Sequence, residues 1–136
     1  MSKLGCVLLI DDDKVTNILN TMVINLTGYV DNVISVKSGE EALTYFDDTP
    51  ENASQLPQLV FLDINMPRMT GWQFLEKYQS TISNISHKVK IYMLSTSLNP
   101  QDWTMHKNYP VVSGYLPKPL TKERFANLVE QNFFNA

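Results

Sequence analysis

Basic residues, cysteines and long apolar runs are all scarce in this chain. Eleven Lys and Arg against fourteen Asp and Glu give a net charge of −3, and no basic stripe is visible, so nucleic-acid binding is not expected. The longest apolar runs have four or five residues, whereas a membrane-spanning helix needs about twenty, so no membrane contact is expected. The single cysteine, Cys6, excludes an intrachain disulfide framework. Since the N-terminus also lacks the zones of a signal peptide, we expect a cytoplasmic protein.

The length and composition suit one globular domain. A chain of 136 residues is close to the usual size of a single domain, and 43% hydrophobic residues suffice to bury a core. We therefore interpret residues 1–136 as one domain, with no output domain after the last predicted helix.

Strand and helix patterns alternate along the whole chain. Short apolar runs bounded by polar residues predict five strands, at Val7–Ile10, Val33–Val36, Leu59–Asp63, Lys90–Leu94 and Ser113–Leu116. Five helical patterns follow these strands in turn. This alternation predicts an α/β fold, in which a doubly wound, five-stranded parallel sheet is covered by helices on both faces.

Capping residues mark where the helices begin and end. The predicted caps are Asp13 and Gly28 for the first helix, Ser38 with Glu41 for the second, Asn99–Pro100 for a short helix after the fourth strand, and Thr121 for the last. Another helix begins near Gly71. The first helix carries apolar residues at helical spacing, namely Val15, Ile18, Leu19, Met22, Val23 and Leu26.

Polar side chains stand at the carboxyl ends of four predicted strands, where parallel sheets bind ligands. They are Asp11–Asp12–Asp13, Asp63, Ser95–Thr96 and Lys118–Pro119. An acid cluster, a further acid, a hydroxyl and a lysine predict a site for phosphate and a divalent metal. The positive charge of a divalent ion and of Lys118 would balance the carboxylates Asp11, Asp12 and Asp63, and hard oxygen ligands suit Mg²⁺ or Mn²⁺.

Two segments, together with the order of these polar residues, resemble a known family. Residues 62–71 read Leu-Asp-Ile-Asn-Met-Pro-Arg-Met-Thr-Gly, and residues 114–119 read Gly-Tyr-Leu-Pro-Lys-Pro. With Asp11–Asp12 and Ser95, they make the chain similar to response-regulator receiver domains, of the stand-alone chemotaxis type, from about Cys6 to Phe133. The resemblance implies a flavodoxin-like receiver fold with five helices and strand order 2-1-3-4-5.

The resemblance also implies roles at the metal. Asp63 is expected to be the phosphoacceptor and a metal ligand. Asp12 is expected to bind the metal directly, and Asp11 through water. The backbone carbonyl of Asn65 would complete the protein ligands, while Asp13 is interpreted as the helix N-cap.

Further roles concern the phosphoryl group. Lys118, whose bond to Pro119 is expected to be cis, and Ser95 are expected to contact the phosphoryl oxygens. Tyr115 is expected to be an aromatic switch that turns inward when Ser95 moves. Three flanking residues are expected to tune hydrolysis: Asn65, Thr96 and Ser97. Because the family usually has a small residue at the position of Thr96, we expect this threonine to narrow access to Asp63 and to slow dephosphorylation.

The function implied is that of a phosphorylatable switch in a two-component phosphorelay. A sensor histidine kinase or phosphotransfer protein would donate the phosphoryl group, and the chain would catalyse no reaction beyond its own phosphorylation and dephosphorylation. The unknown downstream partner is expected to bind the helix after strand four, strand five and the last helix. That region carries four aromatic residues that would mark the partner surface if exposed: Trp103, Tyr109, Phe133 and Phe134.

Two other interpretations fit parts of the pattern. A haloacid-dehalogenase-like phosphatase also uses an aspartate nucleophile, Mg²⁺, a hydroxyl and a lysine. It needs a later acidic pair, however, and only Glu123 and Glu130 follow Lys118. The other alternative is a receiver-like interaction module that takes no phosphate, against which the intact set of site residues argues.

Overall fold

A computed structural model describes residues 3–49, 55–81, 89–96 and 108–134. The five strands are β1 (Leu4–Ile10), β2 (Val30–Val36), β3 (Leu59–Asp63), β4 (Lys90–Ser95) and β5 (Val112–Pro117). The four α-helices of these residues are α1 (Lys14–Thr27), α2 (Gly39–Asp48), α3 (Gly71–Thr81) and α4 (Lys122–Val129), and α4 continues into a π-helical turn at Glu130–Phe134. The helix expected at Asn99–Pro100 lies outside the described residues.

The strands form one parallel sheet in the order β2-β1-β3-β4-β5, which confirms the predicted α/β fold. The central strand β3 is buried along its whole length, as expected for a parallel sheet covered on both faces. The edge strand β2 begins at Val30, three residues before the predicted start. Its first half is polar because Asp31 and Asn32 point to solvent, while the backbone still pairs with β1.

Two apolar cores lie on opposite faces of the sheet. One contains Phe46 of α2 with Phe74, Leu75 and Tyr78 of α3. The other contains Ile24 of α1 with residues of α4, including Phe125, Leu128 and Val129. Successive strand residues alternate between these cores, because strand side chains point to opposite faces in turn: Val7 and Leu9 belong to the second core, and Leu8 and Ile10 to the first. Among the described residues, no helix has the length and apolarity needed to cross a bilayer.

The predicted caps are confirmed wherever the structure describes them. The Asp13 carboxylate accepts the Val15 N–H at the start of α1, and Gly28 closes this helix with a left-handed φ of 70°. Ser38 and Thr121 accept backbone N–H groups at the starts of α2 and α4. These bonds satisfy backbone donors that the first helical turn leaves free.

Helix α1 exposes most of its apolar stripe. A stripe at helical spacing usually faces the core, yet the five large apolar side chains that lie exposed in the described residues are all on this helix: Val15, Ile18, Leu19, Met22 and Leu26. The buried residues of α1 are Asn17, Asn20 and Ile24. The helix therefore turns an apolar surface toward solvent.

Gly71 brings the start of α3 against the end of β3. Its N–H donates to the Ile64 carbonyl at 2.8 Å, and a Cβ at this position would lie 2.5 Å from the Asp63 carbonyl oxygen and 3.1 Å from Ile64 Cα. Both neighbours are backbone atoms, which cannot rotate away. A side chain at residue 71 would therefore displace the segment that holds Asp63.

Replacing Gly71 with alanine should lower the free energy of unfolding by roughly 1–3 kcal/mol through this overpacking. Gly28→Ala is the matched control, since its Cβ would meet no atom within 4 Å and only backbone strain, of about 1 kcal/mol, is added. Thermal unfolding measures the loss of stability in both variants. A loss in Gly71→Ala no larger than that in Gly28→Ala would contradict the close packing assigned to Gly71.

Candidate functional site

The carboxyl ends of the strands bring the predicted site residues together. Asp63 is the last residue of β3 and Ser95 the last of β4, while Asp11 follows β1 and Lys118 follows β5. Strand register places Asp63 beside Leu94, and the Lys118 N–H donates to the Ser95 carbonyl at 3.0 Å. The sheet thus gathers residues that lie more than a hundred positions apart in the sequence.

Three carboxylates form the acidic centre of the site. Asp11, Asp12 and Asp63 each offer an oxygen within 4.8 Å of the others. Asp11 and Asp63 are only 4% and 7% exposed, whereas Asp12 is exposed. The centre therefore has two buried acids and one that faces solvent.

Lys118 forms ion pairs with both buried acids. Its Nζ lies 2.8 Å from Asp11 Oδ2 and 3.1 Å from Asp63 Oδ1. Asp11 is held further because its Oδ1 accepts the Asp13 N–H at 2.9 Å. The Lys118–Pro119 peptide bond is cis, as predicted.

The pKa shifts of the ion-paired groups follow from burial and charge. Burial raises the pKa of Asp63, the Asp11 charge raises it further, and the opposing effect of Lys118 does not cancel these two. Burial by itself would lower the Lys118 pKa, but the hydrogen bond to Asp11 and the Asp63 charge outweigh it, so this pKa lies above its usual value. Ionisation of Asp63 is thus less favourable in the folded protein than in water.

The donor set suits a hard divalent cation. The three clustered groups are carboxylates, and Mg²⁺ and Mn²⁺ prefer oxygen ligands. Three negative charges face one ammonium, so a doubly charged ion would balance the site. No other group of three or more acidic, histidine or cysteine residues within the described ranges is close enough to hold a metal.

The structure describes four of the remaining predicted residues. Ser95 is buried and Thr96 is exposed, and Asn65 is exposed in the loop after Asp63. Tyr115 is half-buried on β5, with its ring 6.3 Å from that of Trp72. Ser97 lies outside the described residues.

Of the four aromatic residues that would mark a partner surface if exposed, the three that the structure describes are buried or half-buried. Tyr109 is 7% exposed and stacks on Trp72. Phe133 and Phe134 are half-buried, and Trp103 lies outside the described residues. The conspicuous apolar surface is on α1, where it borders a cavity of about 530 Å³ that α1 shares with Thr96 and Lys118–Leu120.

Sequence reasoning missed Asn17. This residue is 5% exposed on the inner side of α1, and its Nδ2 donates to the Asp11 carbonyl at 2.9 Å. In the sequence, Asn17 stands between the apolar residues Val15 and Leu19 of the predicted helix. A helical apolar stripe normally faces the core, so an asparagine outside that stripe gives no sign of being buried.

Comparison with known proteins gives one family and several relatives. The chain matches the family model for the response regulator receiver domain over residues 7–130. The probable methanogenesis regulatory protein FilR2 of Methanothrix harundinacea (strain 6Ac) is 25% identical over 126 residues, which span 92% of this chain and 79% of that protein.

Solved structures give the same result. A two component response regulator from Cytophaga hutchinsonii is 34% identical, with a TM-score of 0.87 and coverage of 95% of this chain and 96% of that one. The chemotaxis protein CheY4 of Vibrio cholerae is 24% identical, with a TM-score of 0.77 and coverage of 96% and 98%. At 24% identity, the similarity to CheY4 shows the fold alone.

Asp63→Asn should raise the melting temperature of the metal-free protein by a few degrees at neutral pH, because it removes an unfavourable buried charge. The folded pKa of Asp63 is raised, so the wild type is comparatively stable below the unfolded pKa of about 4 and loses stability as pH rises through the folded value. The difference in melting temperature between Asp63→Asn and the wild type should therefore increase as pH rises. Thermal unfolding from acid to neutral pH in EDTA measures it.

Asp12→Asn is the matched control, because Asp12 is exposed and water screens its charge, so its effect should be smaller. A neutral-pH melting temperature of Asp63→Asn below that of the wild type would show instead that the Lys118 ion pair outweighs the cost of burial.

Proposed function

Because the chain belongs to the response regulator receiver domain family, we propose that it accepts a phosphoryl group on Asp63 with the help of Mg²⁺ and signals by binding a protein partner. The family is a signalling family of two-component systems, and the chain acts in phosphorelay signal transduction. The observation that carries the proposal is the pairing of Lys118 with both Asp11 and Asp63, at 2.8 and 3.1 Å. This pairing puts a positive charge beside a nucleophilic carboxylate. The three carboxylates still carry a net negative charge, which a divalent ion would balance.

Asp63 would act as the nucleophile. One of its carboxylate oxygens attacks the phosphorus of a phosphohistidine, a P–O bond forms, the P–N bond breaks, and the imidazole leaves with the electron pair. Phosphoryl transfer needs mainly positioning and charge neutralisation from the protein. Asp63 is held at a strand end. The Lys118 ammonium group can pair first with the carboxylate and then with the phosphoryl oxygens. Its raised pKa keeps the ammonium protonated at neutral pH.

Asp12 and Asp63 would hold the Mg²⁺ ion directly, with the Asn65 carbonyl as a third protein ligand and Asp11 acting through water. When bound, the ion supplies two positive charges that offset the carboxylates and the incoming phosphoryl group. Mn²⁺ offers the same preference for oxygen and would substitute.

The phosphoryl group would change the conformation through Ser95 and Tyr115. It brings about −1.5 to −2 charges and new acceptor oxygens, to which the Ser95 hydroxyl would donate. Met93 on β4 pairs in register with Tyr115 on β5, so a shift of the β4 end is transmitted to the strand that carries Tyr115. The change is a population shift biased by local charge. Thr96, exposed at the same rim, and Ser97 and Asn65 would tune hydrolysis.

The donor would be a sensor histidine kinase or a phosphotransfer protein, and it would dock on α1. Such a donor must bring its phosphohistidine to Asp63, and the large apolar side chains exposed in the described residues all lie on α1. The groove beside them reaches Lys118 itself, so a protein seated there lies next to the reacting groups. Since kinases draw phosphate from ATP, the reaction would take place in the cytoplasm. The downstream partner would bind β5 and the last helix, α4, together with the segment before β5.

The alternatives lack support. A haloacid-dehalogenase-like phosphatase would need a later acidic pair near the metal, and the carboxylates clustered in the described residues are Asp11, Asp12 and Asp63. A receiver-like module that takes no phosphate would have no use for a lysine paired with two buried acids, because burying such charges is costly.

Incubation with Mg²⁺ and acetyl phosphate should add one phosphoryl group to the wild type, seen as a mass increase of about 80 Da for one HPO₃ on the carboxylate. Asp63→Asn should gain none, and EDTA should abolish the gain in the wild type. Asp12→Asn should reduce it, because the metal loses a ligand. Intact-mass spectrometry measures the adduct, and a phosphoryl group retained by Asp63→Asn would place the acceptor elsewhere.

Leu19→Glu and Met22→Glu should slow phosphotransfer from a protein donor by about tenfold or more, as expected when an apolar contact residue is lost from an interface. Labelling by acetyl phosphate should stay unchanged, because a small donor needs no docking surface. Asn25→Glu is the matched control, since Asn25 is an exposed polar residue of the same helix.

The donor for this experiment is the autophosphorylated histidine kinase, from a purified panel of the source organism, that transfers fastest to the wild type. Transfer to Leu19→Glu and Met22→Glu at the Asn25→Glu rate would rule out α1 as the docking surface.

A further inference from the structure

Asn17 is a buried polar residue on the side of α1 that packs against the sheet. It is 5% exposed, as is Asn20 one turn later, while Ile24 completes the buried side of the helix. The buried side of an amphipathic helix is normally apolar, and burying an amide is unfavourable unless its hydrogen bonds are satisfied. An asparagine here therefore calls for an explanation in its contacts.

Those contacts join the ends of two strands. The Asn17 Nδ2 donates to the Asp11 carbonyl at 2.9 Å and, more weakly, to the Val36 carbonyl at 3.5 Å. The Asp11 N–H donates to the same Val36 carbonyl at 3.2 Å. One side-chain amide thus ties the residue after β1 to the last residue of β2, on the backbone that leads into Asp12.

The position of Asp12 depends on that backbone. Within the described residues, no hydrogen bond to the Asp12 carboxylate is found, and the side chain is exposed. Asp11 is held by Lys118 and by the Asp13 N–H through its carboxylate, and through its carbonyl by Asn17. The Asp11–Asp12 peptide is therefore the element that sets where the Asp12 oxygens lie relative to Asp63.

Stability alone explains the amide of Asn17 poorly. Its Oδ1 is buried and has no hydrogen-bond partner among the described residues, and an unsatisfied buried acceptor is a net cost to the fold. An apolar side chain of similar size would avoid that cost but would lose the bond to the Asp11 carbonyl.

We infer that Asn17 is a positioning residue, which orients the Asp11–Asp12 peptide so that the Asp12 and Asp63 carboxylates can bind one divalent ion together. The inference extends the proposed function and depends on it. Asn17 itself is not one of the proposed metal ligands. It acts through the backbone, as residues beyond the direct ligands commonly do at metal sites.

Binding of Mn²⁺, followed by the loss of the free-ion signal in electron paramagnetic resonance, tests this directly and requires no turnover. Asn17→Leu, which replaces the amide with an apolar group of similar size, should raise the dissociation constant roughly tenfold. Asn17→Ala should do the same without risk of overpacking. The matched controls, Asn20→Leu and Asn20→Ala, alter an equally buried asparagine of the same helix and should leave the affinity within about twofold of the wild type.

Melting temperatures in EDTA separate positioning from a structural role. Weakened Mn²⁺ binding by the Asn17 variants, at melting temperatures close to those of the Asn20 controls, supports the inference. Wild-type affinity in either Asn17 variant would overturn it, as would unfolding of both while the Asn20 variants stay folded. Failure of the wild type to bind Mn²⁺ would overturn the proposed function itself and the inference with it.

Discussion

The ion pairs of Lys118 with Asp11 and Asp63 are the interaction on which the rest of the site depends. Two buried carboxylates and an exposed third would repel one another strongly at this spacing, and removing Lys118 would leave these negative charges without a partner, which is costly. Lys118 reduces the repulsion among the carboxylates but leaves the cluster with a net negative charge. The residual negative charge would attract a divalent ion, and the ion would in turn offset the charge of an incoming phosphoryl group. In the proposed function, charge balance thus links metal binding to phosphorylation.

The fold supplies what this balance needs. A parallel sheet collects residues from four strands at one edge, while two apolar cores hold the strands in register from both faces. Close backbone packing at Gly71 and the side-chain bond from Asn17 then fix the loops that carry the acids. The same edge borders the exposed apolar surface of α1, so the proposed reactive centre and the proposed docking surface for a protein donor adjoin one another.

Much of this was predictable from the sequence because the signals are local. Asp13, Ser38 and Thr121 cap helices through bonds to residues two or three positions away, and an apolar run that ends in Asp63 marks a strand tip without knowledge of its neighbours. The unpredicted features depend on tertiary context. The early start of β2 arises from backbone pairing with β1 through polar residues, and a helical apolar stripe has the same spacing whether it faces the core or solvent. Only the packing of α1 on the sheet shows that Asn17 is buried and Leu19 is exposed.

A crystal structure of the protein with Mg²⁺ and beryllofluoride, a mimic of the phosphoryl group, would decide whether Asp63 is the phosphoacceptor. We expect the mimic on an Asp63 carboxylate oxygen, with Lys118 Nζ at hydrogen-bond distance, roughly 3 Å, from it, and the ion ligated by Asp12 and Asp63. A mimic attached to another carboxylate, or an ion bound away from Asp12 and Asp63, would contradict that expectation.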